Sequence, residues 1–515
     1  MKKLRITAML IAMAFTLSSC GTIRKMTEEM ESSSAAEAEI PLYERNVHFD
    51  EGEAEVFYEG APTTELHFSD PLIDRSYDDE YYIRYEEYED YAVCAGTFGA
   101  INETEVEILA EYNGKPVTKI ADEAFDTFGI GVRKGKPHTF KRIILPESIE
   151  EIGSEAFMYC TDLEEINLPD SLKIIGDNAF NWCEKLTELD IPDSVEYIGD
   201  EAFGLTPFGE SLQQRQDEFV ILGKVLYLNN GDRSADSITI PDGLTMLGGC
   251  TYSSMENLKE VTVPEGIKYI GLSAFCGCEK LEKVSLPKSL VRLEDSAFSH
   301  DYSLESIVLP ENLEHIGKHC FERCEKLDNI EFNSKLWSFG SHPFEKSKWE
   351  NDRYGLIVVN GVLICPTTSH KSYTVPDGVI AIADYAFNGT CADEIILPDS
   401  VEYIGEHAFF LCATIDINMP KNLKEIAYNS FECSGVTKAM LPDGMITIGK
   451  GAFQDCHSLR KASIPKGTVE IPQELFSGCR YLEELTVPNS VIYVGDAAIP
   501  SGNQVTIHGN KNIRF

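Results

Sequence analysis

The stretch LEEINLPDSLKIIGDNAFNWC, residues 163–183, contains every element of a pattern that recurs along most of the chain. Its first part, Leu-x-x-Ile-x-Leu, alternates apolar and polar residues, as a short strand with one buried face does. The proline that follows cannot donate to a strand ladder and therefore ends this strand. A second apolar pair, then Gly, Ala-Phe and a small residue complete the pattern. It predicts two short extended segments and one buried ring in each repeat.

Prolines mark this repeat at intervals of 22 or 23 residues within three groups, and an aromatic residue nearly always follows eleven positions later. Two further units keep the frame without the proline and end at Phe125 and Phe344. A period in the low twenties is typical of a leucine-rich solenoid. We therefore predict a mainly β leucine-rich repeat solenoid of about fifteen 22–23-residue units with short parallel strands. The marker prolines are Pro146, Pro169, Pro192, Pro241, Pro264, Pro287, Pro310, Pro376, Pro398, Pro420, Pro442, Pro465 and Pro488.

Two longer intervals interrupt the repeat, and each contains two apolar runs that meet at a turn. FVILGKVLYL (219–228) turns at Gly223, and LIVVNGVLIC (356–365) turns at Asn360 and the glycine after it. Asn-Gly between apolar runs is a strong hairpin signal. We predict a β-hairpin in each insertion that projects from the solenoid or flanks it.

The repeat unit has the form LPxSVxxIGxxAFxxCxxL and resembles the BspA-like leucine-rich repeat family of bacterial surface proteins. The lead-in EYNGKPVTKIADEAF (111–125) resembles the usual first unit of that family. Members are generally cell-surface proteins, and some are implicated in adhesion to host proteins or to other cells. The resemblance implies a non-enzymatic binding scaffold without a cofactor, and it carries no ligand motif at the level of single residues.

The first twenty residues have the features of an export signal. A basic start precedes an apolar run over 6–17, which is shorter than the about 20 residues that span a bilayer. LSSCG (17–21) resembles the lipobox of bacterial lipoproteins. We therefore predict a signal peptide over 1–19 and a lipid on Cys20, which anchors the exported chain to the cell membrane or cell surface without inserting it. An ordinary signal peptide with an incidental cysteine is the alternative.

The rest of the chain divides by composition. A flexible tether follows over 20–40, then an acidic, tyrosine-rich segment over 41–91, then the solenoid over 92–515 with insertions at about 205–236 and 347–372. Nine carboxylates and six tyrosines lie between residues 70 and 91. A calcium site is conceivable there, but the spacing matches no EF-hand. A solvated segment whose tyrosines partly pack on the first repeat is the simpler interpretation.

Charge and motifs narrow the function further. The chain carries 44 Lys and Arg against 85 Asp and Glu, a formal net charge of −41, which repels phosphate and excludes nucleic acid as a partner. The sequence contains no nucleophile elbow, Walker loop or HExxH motif. We therefore predict that the protein is not an enzyme.

The cysteines and histidines offer one candidate metal site. HIGKHCFERC (315–324) contains His315, His319, Cys320 and Cys324, four ligand types that zinc accepts. The repeat pattern already accounts for most of them, so we predict no metal. Seven cysteines occupy one small slot three residues after the phenylalanine, where neighbouring repeats bring some of them within disulfide range. They are Cys160, Cys183, Cys278, Cys324, Cys412, Cys456 and Cys479.

A binding surface follows from the strand pattern. Residues two and four before each proline position point outward and are predicted to form a continuous open face, acidic at its early end and basic with apolar members at its later end. A merely soluble surface is the alternative. The candidate face consists of Glu165, Asn167, Glu188, Asp190, Glu260, Thr262, Ile396, Lys438, Met440 and Lys461.

Together these features predict a monomeric, lipid-anchored bacterial surface protein. Its function is that of a non-catalytic protein-binding or adhesion scaffold, with a host or neighbouring-cell surface protein as the ligand. Two alternatives remain, a surface lipoprotein that captures glycans and an envelope structural protein without a dedicated ligand. The chain has only three tryptophans, and none recurs with the repeat, which weakens the glycan alternative.

Overall fold

The computed structural model describes residues 82–88, 90–98, 101–126, 138–367, 369–414, 416–495, 497–500 and 505–510. The predicted signal peptide, Cys20, the tether and most of the tyrosine-rich segment lie outside these ranges. The chain divides into two compact units. Unit 1 extends to Leu258 and includes Pro264–Gly277, and unit 2 consists of Lys259–Val263 and the chain from Cys278 onward.

Within the described ranges both units consist of stacked β-strands with one short helix each, so the predicted mainly β leucine-rich repeat solenoid is confirmed. Helix α1 spans Pro207–Gln213 and helix α2 spans Lys348–Asn351. In chain order the strands are β1 (Tyr82–Glu87), β2 (Ala92–Phe98), β3 (Glu105–Glu107), β4 (Glu111–Tyr112), β5 (Lys115–Ile120), β6 (Arg142–Ile144), β7 (Glu151–Ile152), β8 (Glu165–Ile166), β9 (Ile174–Ile175), β10 (Tyr197–Ile198), β11 (Phe219–Leu222), β12 (Val225–Asn229), β13 (Met246–Leu247), β14 (Glu260–Thr262), β15 (Tyr269–Ile270), β16 (Lys283–Ser285), β17 (Arg292–Leu293), β18 (Ser306–Val308), β19 (His315–Ile316), β20 (Asn329–Glu331), β21 (Ser338–Phe339), β22 (Leu356–Val359), β23 (Val362–Pro366), β24 (Ser372–Thr374), β25 (Ala381–Ile382), β26 (Glu394–Ile396), β27 (Tyr403–Ile404), β28 (Asp416–Ile417), β29 (Glu425–Ile426), β30 (Lys438–Met440), β31 (Thr447–Ile448), β32 (Lys461–Ser463), β33 (Glu470–Ile471), β34 (Glu484–Val487), β35 (Tyr493–Val494) and β36 (Thr506–Gly509).

Most repeats contribute a leading strand before the proline position, and each contributes a trailing strand after it. In unit 1 the leading strands pair in the order β3-β6-β8, and the trailing strands pair as β2-β5-β7-β9-β10 and β12-β13-β15. In unit 2 the leading ladders are β14-β16, β18-β20, β24-β26-β28 and β30-β32-β34-β36. Its trailing ladders are β17-β19-β21, β23-β25-β27-β29-β31 and β33-β35. These neighbours are parallel. Between regular repeats they place a residue beside the one 22 or 23 positions later, as in Tyr403 beside Glu425 and Glu151 beside Ile174.

The two predicted hairpins are present as β11–β12 and β22–β23. The second strand of each also pairs in parallel with the next trailing strand, β13 or β25, so the hairpin is built into the ladder. The turns are anchored on the preceding repeat: Lys224 N donates to Val195 O at 2.8 Å, and the Asn360 amide donates to Leu336 O at 2.9 Å. A third hairpin, β1–β2, has the same construction, because β2 pairs with β5. It was not predicted, and its first strand is the end of the tyrosine-rich segment.

Both helices follow the small slot of the repeat before an insertion. Thr206 and Ser347 stand in that slot and accept a hydrogen bond from the first turn of α1 and α2 respectively, as N-cap residues do. Each helix then places a ring on the last phenylalanine of the preceding stack, which shields the end of that stack from water. The ring pairs are Phe208 with Phe203 at 5.1 Å and Trp349 with Phe344 at 4.8 Å.

Between the insertions, the phenylalanine of one repeat packs on the ring of the next repeat. The rings are fully buried and nearly parallel, and no repeat covers its own ring, so each depends on its neighbours for stability. In unit 1 the centroid distances are 5.1 Å for Phe125–Phe157, 5.4 Å for Phe157–Phe180, 6.0 Å for Phe180–Phe203 and 5.4 Å for Tyr252–Phe275. In unit 2 they are 5.6 Å for Phe298–Phe321 and Phe321–Phe344, 5.3 Å for Phe387–Phe409, 4.7 Å for Phe409–Phe431, 4.9 Å for Phe431–Phe453 and 5.8 Å for Phe453–Phe476.

The glycine after the second apolar pair is needed because backbones approach closely there. A Cβ on Gly176 would lie 2.4 Å from the backbone nitrogen of Ser154 and 2.6 Å from the carbonyl carbon of Gly153. These glycines do not have a positive φ. The recurrent glycine is therefore required by the close contact between neighbouring repeats.

Left-handed backbone occurs instead at two other positions in most repeats. The residue directly before Ala-Phe, which we call the corner position, has a positive φ, as in Glu155 (56°) and Asn178 (53°). A second such residue follows two positions after the phenylalanine, as in Tyr159 (59°). Side chains other than glycine occupy most of these sites, although they rarely adopt this conformation. The sequence therefore carried no signal for them.

The small slot provides a hydrogen-bond donor to the preceding repeat. Five of its thiols donate to the phenylalanine carbonyl of the repeat before, as Cys183 does to Phe157 at 3.2 Å and Cys479 does to Phe453 at 3.0 Å. None of the fourteen described cysteines forms a disulfide. Asp301 occupies the same slot, where its Oδ1 accepts the backbone N–H of Cys278 at 2.8 Å. Burial raises the pKa of the Asp301 carboxyl well above its ordinary value, which favours the protonated, neutral form.

Candidate binding face

The leading strands place alternate residues on an exposed side. In β14, β18 and β30 the middle residue is buried and its two neighbours are exposed, as the alternation in the sequence predicts. All ten residues of the candidate face are exposed. Glu165, Asn167, Glu188 and Asp190 belong to unit 1, and the other six belong to unit 2.

The leading strands do not form one continuous ladder within either unit. In unit 1 the ladder ends at β8, and the described residues 188–190 form no strand. In unit 2 four separate ladders carry the face. These strands are two to four residues long, so only a few backbone hydrogen bonds hold each pair together.

Ion pairs between neighbouring repeats neutralise much of the charge on this side. Arg142 pairs with Glu105 at 3.0 Å and with Glu165 at 3.4 Å in unit 1. In unit 2 Lys461 pairs with Glu484 at 2.8 Å, and Glu260 pairs with a lysine of the next repeat. Each exposed pair contributes only about 0–1 kcal/mol to stability. The contrast between an acidic and a basic end is therefore weaker than residue counts along the chain imply.

The side chain of Asn167 serves the fold. Its Oδ1 accepts the backbone N–H of Leu145 at 2.8 Å, and its Nδ2 donates to the Leu145 carbonyl at 2.8 Å. Asn418 makes the same two bonds to Leu397 in unit 2, at 2.7 and 2.8 Å. Both amides thus extend the ladder by one pair of hydrogen bonds. Their oxygen and nitrogen atoms are already bonded to the backbone of the preceding repeat.

An uncharged row runs along unit 2, two residues before each proline position. We call this row the neutral stripe, and a single acid, Glu331, interrupts it. Three large apolar side chains are exposed in it: Val308 (60%), Met440 (51%) and Ile396 (41%). The candidate face included the last two but not Val308. The neutral stripe consists of Thr262, Ser285, Val308, Thr374, Ile396, Asn418, Met440, Ser463, Thr486 and His508.

The candidate zinc ligands of 315–324 have other partners. His315 Nδ1 shares a hydrogen bond with Ser338 Oγ at 2.7 Å, and the Cys324 thiol donates to Phe298 O at 3.2 Å. His319 lies beside carboxylates instead, with Nδ1 3.5 Å from Glu345. Within the described ranges no group of three or more His, Cys, Asp or Glu side chains is arranged to hold a metal ion. No helix in the same ranges has the length and apolar content to cross a bilayer.

A family model matches more than half of the chain. Residues 136–211, 227–350 and 380–506 match the BspA type leucine rich repeat region, in six copies. No curated protein matches the chain.

Solved structures of bacterial leucine-rich repeat proteins are similar to the chain over most of its length. A leucine-rich repeat protein from Bacteroides ovatus ATCC 8483 is 25% identical, covering 85% of this chain and 100% of its own, with a TM-score of 0.27. A leucine rich cell surface protein from Faecalibacterium prausnitzii A2-165 is 23% identical over 85% of this chain and 97% of its own, with a TM-score of 0.26. The pneumococcal vaccine antigen PcpA is 17% identical over 84% of this chain and 99% of its own, with a TM-score of 0.28.

Proposed function

Because this chain belongs to the BspA type leucine-rich repeat family, we propose that it is a bacterial surface protein that binds another protein through the leading strands of unit 2. It acts without catalysis, as a monomer held at the membrane by a lipid on Cys20. The observation that carries this proposal is the neutral stripe. In a chain of net charge −41, an exposed uncharged row is unexpected for a surface that only has to stay soluble.

The composition of the neutral stripe suits a protein partner. Interface cores lack charge and contain large apolar anchors, and charged residues surround them. Met440 and Ile396 supply the anchors, with one repeat between them. The neighbouring row of the same leading strands supplies the charges, including Glu394, Asp416 and Lys438, all exposed. A partner that covers the stripe therefore removes apolar surface from water while its rim charges remain hydrated.

Substitution of the anchors tests the binding site. Once a pulldown has identified the partner, we expect the double variant Met440→Glu and Ile396→Glu to weaken its affinity by about 100-fold, since two anchors are lost and two charges face an apolar patch. Ile446→Glu is the matched control, because Ile446 is exposed (58%) beside the trailing strand β31 of the same unit. Binding is measured by surface plasmon resonance at two salt concentrations.

Two results would contradict the proposal that the partner binds at the neutral stripe. Equal affinities for the double variant and the wild type would remove the neutral stripe from the interface. A specific loss with Lys substitutions at Glu188 and Asp190 in unit 1 would move the interface to the acidic part of the face. Failure of any partner to bind the purified chain would favour an envelope structural protein.

The lipid anchor has its own test. The basic start, the short apolar run and the lipobox-like LSSCG support lipidation of Cys20. We expect Cys20→Ser to move the protein from the detergent phase to the aqueous phase in Triton X-114 partitioning of cell extracts, or to leave it uncleaved. Cys391→Ser is the control, because Cys391 is an exposed thiol within unit 2. Unchanged partitioning of the Cys20 variant would refute the anchor.

A further inference from the structure

Four corner positions in unit 2, on either side of the second insertion, differ in composition from the other corner positions. Other repeats carry small or acidic side chains at this position, among them Glu155, Asn178, Ser273, Ser296 and Glu474. Around the second insertion four repeats carry rings instead, namely His319, His342, Tyr385 and His407. This side of the repeat is distinct from the leading strands, so the neutral stripe does not account for the rings.

Three aromatic residues contact His407 and form a cluster with it. Its imidazole stacks on Tyr385 with centroids 4.9 Å apart and planes 24° apart. Phe410 and Tyr428 stand nearly perpendicular to the same imidazole, at 5.3 Å and 5.6 Å. We call Tyr385, His407, Phe410 and Tyr428 the ring cluster. All four belong to unit 2, and the cluster spans three successive repeats.

The ring cluster remains accessible to solvent. Tyr428 is exposed (39%), Tyr385 and Phe410 are half-buried, and the neighbouring Leu411 is exposed. The stacked phenylalanines already fill the interior of these repeats, so the rings of the cluster are additional to the core. Aromatic side chains at such positions expose apolar area that core packing does not require.

Polar groups border the rings. The Glu432 carboxylate lies 3.5 Å from His407 Nδ1, and the Lys318 ammonium lies 5.7 Å from the Tyr385 ring centre. Burial raises the pKa of Glu432 to about 7, so near neutral pH its carboxyl is protonated in part and both donates and accepts hydrogen bonds. A partly exposed ring surface with hydrogen-bonding groups at its border is the usual composition of a small-ligand site.

We propose that the ring cluster binds a neutral carbohydrate, with the sugar packed on Tyr428 and Phe410 and its hydroxyls bonded to Glu432. The C–H groups of a pyranose are weakly positive and pack on the negative face of an aromatic ring. Its hydroxyls need partners that both donate and accept. The net charge of −41 disfavours acidic polysaccharides, which leaves neutral ones. This site is independent of the protein interface proposed above.

Titration of the full chain with neutral oligosaccharides tests the proposal. The probes are cello-, manno- and xylo-oligosaccharides, followed by isothermal calorimetry and saturation-transfer NMR, with choline as a separate probe for a cation-binding aromatic cage. At least one oligosaccharide is expected to bind. Tyr428→Ala should then weaken its affinity by about tenfold or more. Tyr481→Ala is the matched control, because Tyr481 is also exposed but contacts Arg460 in a different repeat.

A second variant separates loss of the binding site from loss of folding. Leu411 is exposed and has a positive φ of 50°, a conformation that Asp tolerates better than Leu, so Leu411→Asp should fold. The variant should still weaken sugar binding, because it replaces an apolar side chain next to Phe410 with a charge. Loss of binding in both variants, with the Tyr481 control unaffected, supports the site. Binding of choline alone, no binding of any oligosaccharide, or sugar affinity that neither variant changes would each overturn it.

Discussion

Replacing Phe180 with alanine is expected to destabilise the protein by about 3–5 kcal/mol, because it leaves a cavity inside a stack of rings. Phe180 is fully buried between Phe157 at 5.4 Å and Phe203 at 6.0 Å, with ring planes within 14° on both sides. The neighbouring repeats can close this gap only by shifting backbone that is hydrogen-bonded on either side. Chemical denaturation followed by circular dichroism measures the loss.

The damage should be local as well as large. Because each repeat contacts mainly its neighbours, hydrogen exchange should accelerate most in the repeats that contain Phe157, Phe180 and Phe203. Phe180→Leu is the matched control, since it keeps most of the volume and should cost well under half as much. Uniform loss of protection throughout the chain, or none beside Phe180, would contradict stability by nearest-neighbour stacking.

Replacing Gly176 with alanine is expected to cost about 2–3 kcal/mol, although alanine usually stabilises a chain relative to glycine. The new methyl group would meet backbone atoms of Ser154 and Gly153 at 2.4 and 2.6 Å, and backbone cannot rotate away as a side chain can. Five of the fifteen repeats have another residue at this position, so the spacing differs among repeats. At Gly176 the other contacts of the two repeats already fix the distance between their backbones, so a single change to alanine cannot widen it.

Gly444→Ala provides the comparison. Gly444 has a φ of +98°, but a Cβ there would meet nothing within 4 Å, so this change incurs backbone strain of about 1–2 kcal/mol without a clash. The thermal unfolding temperatures of the two variants separate the two causes. A smaller loss for Gly176→Ala than for Gly444→Ala would show that contact between repeats is not what requires glycine at this position.

Local signals in the sequence were sufficient for the repeat itself. The interval from Pro146 to Pro169 gives the length of one repeat. The buried phenylalanine and the alternation before each proline lie within that length, and each has one physical interpretation. The Gly223 and Asn360 turns are equally local, so both hairpins were predicted at the correct residues. The hairpin β1–β2 was missed because acidic and tyrosine-rich residues surround it and no Asn-Gly turn marks it.

The sequence by itself determined the fold class, the repeat length, the stack of buried phenylalanine rings and the outward direction of the candidate face. Only the tertiary structure decided which outward residues remain available to a partner. Arg142 and Glu165 are 23 positions apart and meet because the repeats are in register, which removes them from a free charged surface. Tyr428 and His407 meet for the same reason, across the boundary between two repeats. Contacts between repeats depend on stacking register and corner geometry, which no single repeat encodes.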